Sequence, residues 1–203
     1  MITTAQRYRA EVLPPKEETI VPPFGPKHLP IFKALNECMG GKDRPMLDSV
    51  FIEIHNDATF LVSTNGHVLL CIETNPINNP EGDWRKHDEC HMLLAGASVK
   101  EFVDSKGHAE LVRSDSGYDF PEVRQVFPQG FDIENGSSYI GFSAKYLDSL
   151  NKVLKALKVS GRRKTTPITL QHNDALAPAV FSFDGDDELF KSASMIVMPV
   201  RLD

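Results

Sequence analysis

The chain has 203 residues, of which 41% are hydrophobic and 25% charged, and its formal net charge is −6; that balance fits a globular protein able to bury a sizeable core. No apolar run approaches the roughly 20 residues that cross a membrane, and residues 1–12 lack the basic-then-apolar layout of a signal peptide. Three cysteines, Cys38, Cys71 and Cys90, are too few and too odd in number for a disulfide framework, so a reducing cytoplasm is the expected setting.

Residues 1–26 contain Pro14, Pro15, Pro22, Pro23 and Pro26 and read as an arm with at most a short strand near 8–13. Leu29, Ile31, Phe32, Leu35 and Cys38 then recur at helical spacing, up to the stop signal Gly40-Gly41. Strand-like runs follow at 49–55, 59–64 and 68–73, separated by Asn56-Asp57 and by Asn65-Gly66, a strong short-hairpin signal. Residues 75–88 are polar and turn-rich and read as a loop. A strand is predicted at 91–95, a short helix at 98–105 and a strand at 109–113, which leads into Tyr118-Asp119-Phe120-Pro121-Glu122-Val123. Residues 130–138 read as a linker. A strand at 139–142, a helix at 144–158 and strands at 167–171, 179–183 and 194–200 complete the chain, with turns at Asn173-Asp174 and Asp184-Gly185.

The recurring order is strand, helix, then two or three antiparallel strands. It starts near Ile20, near His91 in shortened form, and near Tyr139, without a strict sequence repeat. Helices lying on one face of antiparallel meanders make an α+β protein. The expected organisation is a Pro-rich arm at 1–26, a first domain at 27–128 and a C-terminal half-domain at 129–203.

Charge is unevenly placed. Between Ser143 and Thr165 stand Lys145, Lys152, Lys155, Lys158, Arg162, Arg163 and Lys164 against one acid, Asp148, which leaves that segment at +6 and the rest of the chain at −12. Wound at about 100° per residue, the helix places Tyr146, Leu147, Leu150, Val153, Leu154 and Leu157 on one face. Lys145, Lys152 and Lys155 fall on the other, with Lys158 near its border. A solvated helix face is the plain alternative. What favours a binding face is that it lacks acids, whereas a merely soluble helix mixes signs to gain i,i+4 pairs. Lysine is a mobile point charge suited to tracking phosphates and not to reading base edges. Few aromatics interleave with these lysines, so stacking on single strands is not indicated.

Catalytic signals are weak. The sequence holds no Gly-rich phosphate loop, no Gly-x-Ser-x-Gly and no His-Glu-x-x-His. His87, Cys90 and His91, with His67 and Cys71, fit no standard zinc-finger spacing. Asp184, Asp186, Asp187 and Glu188 suit a hairpin turn. Neither an enzyme, nor a metal, nor a cofactor is expected.

Three segments resemble the bacterial replicative sliding clamp, the beta subunit of DNA polymerase III. Ser63-Thr64-Asn65-Gly66-His67-Val68-Leu69 is similar to the family's Ala-Thr-Asp-Gly-His-Arg-Leu hairpin, and Arg44-Pro45-Met46-Leu47-Asp48-Ser49-Val50 to the strand before it. Phe120-Pro121-Glu122-Val123-Arg124-Gln125-Val126-Phe127-Pro128 is similar to Phe-Pro-Asp-Tyr-Arg-Arg-Val-Leu-Pro at the family's inter-domain connector. Ile196-Val197-Met198-Pro199-Val200-Arg201-Leu202 is similar to the terminal Val-Val-Met-Pro-Met-Arg-Leu. Val68 and Gln125 stand where the family has arginines, and Asp203 follows the terminal leucine. The resemblance covers most of residues 20–203.

The resemblance implies a sliding-clamp fold, in a compact variant. Family chains hold three domains of two repeats each, and two chains close a ring, whereas this chain has room for about three repeats. It implies a pocket for short hydrophobic client peptides formed by Leu47, Thr64, Gly66, His67, Leu69, Pro121, Val126, Ile196, Met198, Pro199, Val200 and Leu202. Met-rich apolar walls are adaptable and let one groove serve several clients. The implied function is a processivity clamp that associates with duplex DNA independently of sequence and binds DNA polymerase and other proteins bearing clamp-binding motifs. A homo-oligomer is expected, because a half-domain exposes a sheet edge. The alternative is a clamp-like adaptor or decoy that binds replication proteins without encircling DNA.

Overall fold

The computed structural model describes residues 20–21, 28–41, 43–54, 58–74, 93–94, 98–103, 109–113, 120–128, 140–158, 167–173, 177–185 and 189–200. Most of the N-terminal arm, the loop at 75–88, the linker at 130–138, and His87, Cys90, His91, Arg162, Arg163, Lys164 and Leu202 lie outside the described residues.

In chain order the elements are β1 (Ile20–Val21), α1 (Leu29–Asn36), β2 (Val50–Ile54), β3 (Thr59–Thr64), β4 (Val68–Thr74), β5 (Leu93–Leu94), β6 (Ser98–Val103), β7 (Ala109–Arg113), α2 (Ala144–Ala156), β8 (Thr169–Gln171), β9 (Ala179–Asp184) and β10 (Ser192–Val197). Short 3-10 turns occupy Pro45–Leu47 and Arg124–Val126. Pro30 sits in the first turn of α1, where its missing N–H leaves no bond unmade. After α2, Lys158 turns into the left-handed region at φ 57° and stops the helix.

Eight strands form one antiparallel sheet in the order β7-β6-β2-β3-β4-β10-β9-β8, and β1 pairs with β5 in a small ribbon (Ile20↔Leu94, Val21↔Leu93). The seam between β4 and β10 runs from Val68↔Val197 to Glu73↔Ser192. Each side of that seam repeats one plan: a helix, then three meandering strands whose last member lies at the seam. The two halves therefore face each other as approximate mirror plans of strand order, β2-β3-β4 against β10-β9-β8.

Strand alternation divides the core in two. On one face, Ile31, Phe32 and Leu35 of α1 and Leu150, Val153 and Leu157 following α2's apolar stripe pack on Val50, Ile52, Leu61, Leu70, Ile72, Phe183 and Met195. Ser63 ties the layers together, its hydroxyl donating to the Leu35 carbonyl at 2.8 Å near the end of α1. On the other face, Phe60, Val62, Leu69, Cys71, Val180 and Ile196 lie beneath Val123 and Phe127 of the segment 120–128. β3, β4 and most of β10 are thus covered on both sides, which is why their sequences are apolar at successive positions.

Three expectations change. Of the helix expected at 98–105, the described residues 98–103 form strand β6 instead, with Val50↔Val99 and Phe51↔Ser98 on one side and β7 on the other. Val99, Phe102 and Val103 fit a helical stripe, but the open edge of β2 and the β7 hairpin partner supply backbone bonds that override this local pattern. Of the strand expected at 139–142, the described residues 140–142 contribute one bridge, Gly141↔Val200. Leu147, assigned to the apolar face of α2, is 43% exposed.

Cys38 and Cys71 are free and buried. Burial, with Glu37 nearby, pushes the Cys38 thiol from an ordinary 9.0 up to about 12, and burial raises Cys71 as well. In a Cys90→Ser variant, neither thiol should react with an aromatic disulfide reagent at pH 8 until the protein is denatured. A raised thiol pKa means the unfolded chain loses its proton first as pH rises. The Cys38 contribution to stability is therefore complete below about pH 9 and falls between about pH 9 and 12. Rapid labelling of the native protein would contradict this burial.

Candidate functional site

The β3–β4 hairpin builds one wall of the candidate groove. Gly66 carries a positive φ of 88° and His67 does not, the pattern of a two-residue type II′ loop with glycine first. Asn65 fixes the loop by accepting at Oδ1 from the N–H groups of His67 (2.9 Å) and Val68 (3.0 Å). Thr64 donates to the Val68 carbonyl at 2.8 Å and accepts from the Gly66 N–H at 3.1 Å, so its hydroxyl is used inside the turn. A Cβ on Gly66 would come within 2.8 Å of Arg44 Nη1, which donates to the Asn65 carbonyl. The 3-10 turn Pro45–Leu47 closes beside it. Leu47 is buried and its carbonyl accepts from the Gly40 N–H at 2.9 Å.

The floor is buried. Leu69 and Ile196 are register partners across the seam and share the outer core cluster with Val123, Phe127 and Val180. Above them, segment 120–128 crosses the sheet. Phe120 stacks on Phe51 of β2 with centroids 5.2 Å apart. Arg124 donates from Nη2 to both carboxylate oxygens of Glu53, at 2.9 and 2.8 Å. Val126 stays 40% exposed on the turn.

The third wall leaves β10. Met198 donates from its backbone N–H to the His67 carbonyl at 2.9 Å, extending the β4 ladder past the strand end, and Val200 bridges Gly141. Met198 (36%) and Val200 (38%) are exposed, as is Met46 (45%) on the Pro45–Leu47 turn. The exposed His67 ring stacks on Tyr146 of α2 at 5.7 Å. Exposed apolar side chains therefore flank the buried Leu69–Ile196 pair.

On the helix layer, Lys145, Lys152, Lys155 and Lys158 are all exposed. Lys152 reaches Asp148 at 3.1 Å and Glu37 of the α1 C-cap at 3.8 Å. The Asp148 hydrogen bond and charge, with Glu37 behind them, hold Lys152 more firmly protonated than an ordinary lysine. The expectation of an acid-free lysine face is therefore corrected: Asp148 stands one turn before Lys152, and α1 brings a second carboxylate that no reading of α2 alone contains.

No protein-family model and no curated protein matches the sequence. Among solved structures, the chain is similar to the sliding clamp of Bartonella birtlesii bound to griselimycin, at 17% identity and a TM-score of 0.51, over 95% of this chain and 69% of that one. It is similar to the Bacillus subtilis sliding clamp at 13% identity and TM-score 0.56, covering 95% and 67%. The Helicobacter pylori beta clamp bound to a DNA ligase peptide matches at 13% and 0.53, covering 95% and 68%.

The chain has the sliding-clamp fold.

On this clamp fold the segments singled out by resemblance come together as hairpin, connector and terminal strand. Leu47, Leu69 and Ile196 are buried, Thr64 and Gly66 shape the hairpin, and His67, Val126, Met198 and Val200 are exposed, with Pro121 and Pro199 half-buried. Val68, which replaces an arginine of the clamp motif, is buried against the helices, a position that suits an apolar side chain. Two contacts beside the candidate groove, Arg124 with Glu53 and Tyr146 with His67, were not legible in the sequence. Arg124's partner lies 71 positions away, and Tyr146 fits the core stripe of its helix equally well. Among the described residues no group of His, Cys, Asp and Glu is placed to hold a metal ion, and no helix is long and apolar enough to cross a membrane.

Proposed function

We propose that the protein is a clamp-type, non-enzymatic tether. Short hydrophobic peptides of DNA polymerase and other replication proteins dock in the groove, while the lysine face of α2 lies along duplex DNA without reading its sequence. The observation that carries this reading is the meeting of the hairpin, the connector and the Met198–Val200 segment around the Leu69–Ile196 floor. The Helicobacter pylori clamp, which shares the fold, binds a DNA ligase peptide, and that supports a peptide as the groove's occupant. Function as a clamp also requires a homo-oligomeric ring.

Fluorescence anisotropy with a labelled, short clamp-binding peptide tests the groove. Wild type should bind, and Met198→Asp should weaken binding at least about tenfold, since it places a charge on an apolar rim. Equal binding by both proteins, or none by wild type, refutes the peptide reading.

A second reading is an adaptor that keeps the groove and does not encircle DNA. The carboxylates of Asp148 and Glu37 beside Lys152 favour it, because they reduce the net positive charge that the helix layer offers to phosphate. Light scattering coupled to size exclusion separates the two. A discrete oligomer at moderate salt supports the ring, and a monomer supports the adaptor.

A further inference from the structure

The connector turn is held to the sheet by contacts of two kinds, and the second has a consequence for binding, given the peptide-groove reading above. Val123 and Phe127 flank the turn Arg124–Val126 and are buried in the outer core. Two apolar anchors fix the ends of a short segment but leave it able to roll about the line joining them, because apolar contact is non-directional. Within the turn, the Val126 N–H donates to the Val123 carbonyl and the Phe127 N–H to that of Arg124, so these bonds shape the turn without orienting it on the sheet.

Orientation comes from Arg124. One guanidinium nitrogen lies 2.9 and 2.8 Å from the two Glu53 oxygens, with the side chains only 21% and 11% exposed. The Arg124 N–H also donates to Glu122 Oε1 at 2.9 Å, bracing the start of the turn. Glu53 on β2 lies in line with Phe60 and Glu73, whereas the floor residue Leu69 stands four residues along β4 from Glu73, so the backbone positions of Glu53 and Leu69 are roughly 16 Å apart. With Gln125 uncharged, Arg124 is the turn's only cation.

We infer that the Glu53–Arg124 pair is a positioning device for the groove: it holds Val126 in place as a wall and thereby sets how long a hydrophobic peptide stays bound. Neither residue touches the peptide. Both act through Val126.

The test is stopped-flow dissociation of the labelled clamp-binding peptide from wild type, Arg124→Met, Val126→Ala and the Arg124→Met/Val126→Ala double variant, with circular dichroism verifying the fold. Arg124→Met should speed dissociation about tenfold and leave association nearly unchanged. In the Val126→Ala background the same change should add nothing further, a non-additivity that general loosening of the protein does not produce. Glu53→Gln, which keeps the side-chain shape, should reproduce the Arg124→Met effect and serves in its place if that variant misfolds. An unchanged dissociation rate in Arg124→Met or Glu53→Gln overturns the inference, as does full additivity with Val126→Ala. If wild type itself fails to bind the peptide, the groove reading falls, and that result is distinct from a wild type that binds with a dispensable ion pair.

Discussion

Replacing Phe127 with alanine is expected to cost about 3–5 kcal/mol of stability. Phe127 ends the connector turn and is fully buried in the outer cluster with Leu69 and Ile196. Truncation removes its transfer energy and leaves a cavity beside Val123, Val180 and Ile196 that closes only in part. For a domain of this size the thermal midpoint should fall by roughly 6–20 °C. Peptide affinity should fall with it, because the Val126 wall loses one of its two apolar anchors. Val126→Ala supplies the contrast: its side chain is 40% exposed, and the midpoint should move by no more than a few degrees. Thermal melts of the two variants check this directly. A Phe127→Ala protein that melts with wild type would mean that the connector does not seat on the sheet.

The second large effect concerns DNA. Lys145→Glu combined with Lys155→Glu should abolish most salt-sensitive association with duplex DNA, and the slope of log affinity against log salt should flatten by about 2. Lys152→Glu alone should do less than Lys145→Glu or Lys155→Glu alone, since Lys152 already faces Asp148 and Glu37. Conversely, Asp148→Asn with Glu37→Gln should strengthen association and steepen the slope. Titrations at several salt concentrations read each variant against wild type. Should the Lys145/Lys155 variant bind like wild type, the helix layer is a solvated surface and not a DNA face.

Local pattern made a large part of the fold legible. The 3.6-residue stripe of Tyr146, Leu150, Val153 and Leu157 places α2 within two residues of its observed end. Asn65-Gly66 marks the tight β3–β4 turn because only a glycine accepts φ 88° there without strain. Such signals act over a few residues, and the chain carries them wherever it goes. The errors share one cause. Residues 98–103 satisfy both helical and strand spacing, and the choice falls to the free edge of β2, which is nearly 50 positions earlier in the chain. Likewise, the charge of the helix layer cannot be judged from α2 alone when Glu37 arrives from α1.

The same division holds for the site. Residue order alone carries the identity of the three segments, the turn signal of Asn65-Gly66, and the apolar character of Leu69, Ile196 and Met198. The tertiary structure alone decided that Leu69 and Ile196 become neighbours across the β4–β10 seam. Folding also brings Arg124 to Glu53 and His67 onto Tyr146, and sets which apolar residues are buried and which stay exposed. Turn and periodicity preferences are energies of adjacent residues and can be read in order. Strand pairing and ion pairing join residues far apart in the chain, and the chain's order of residues does not contain the distance between them until the core closes.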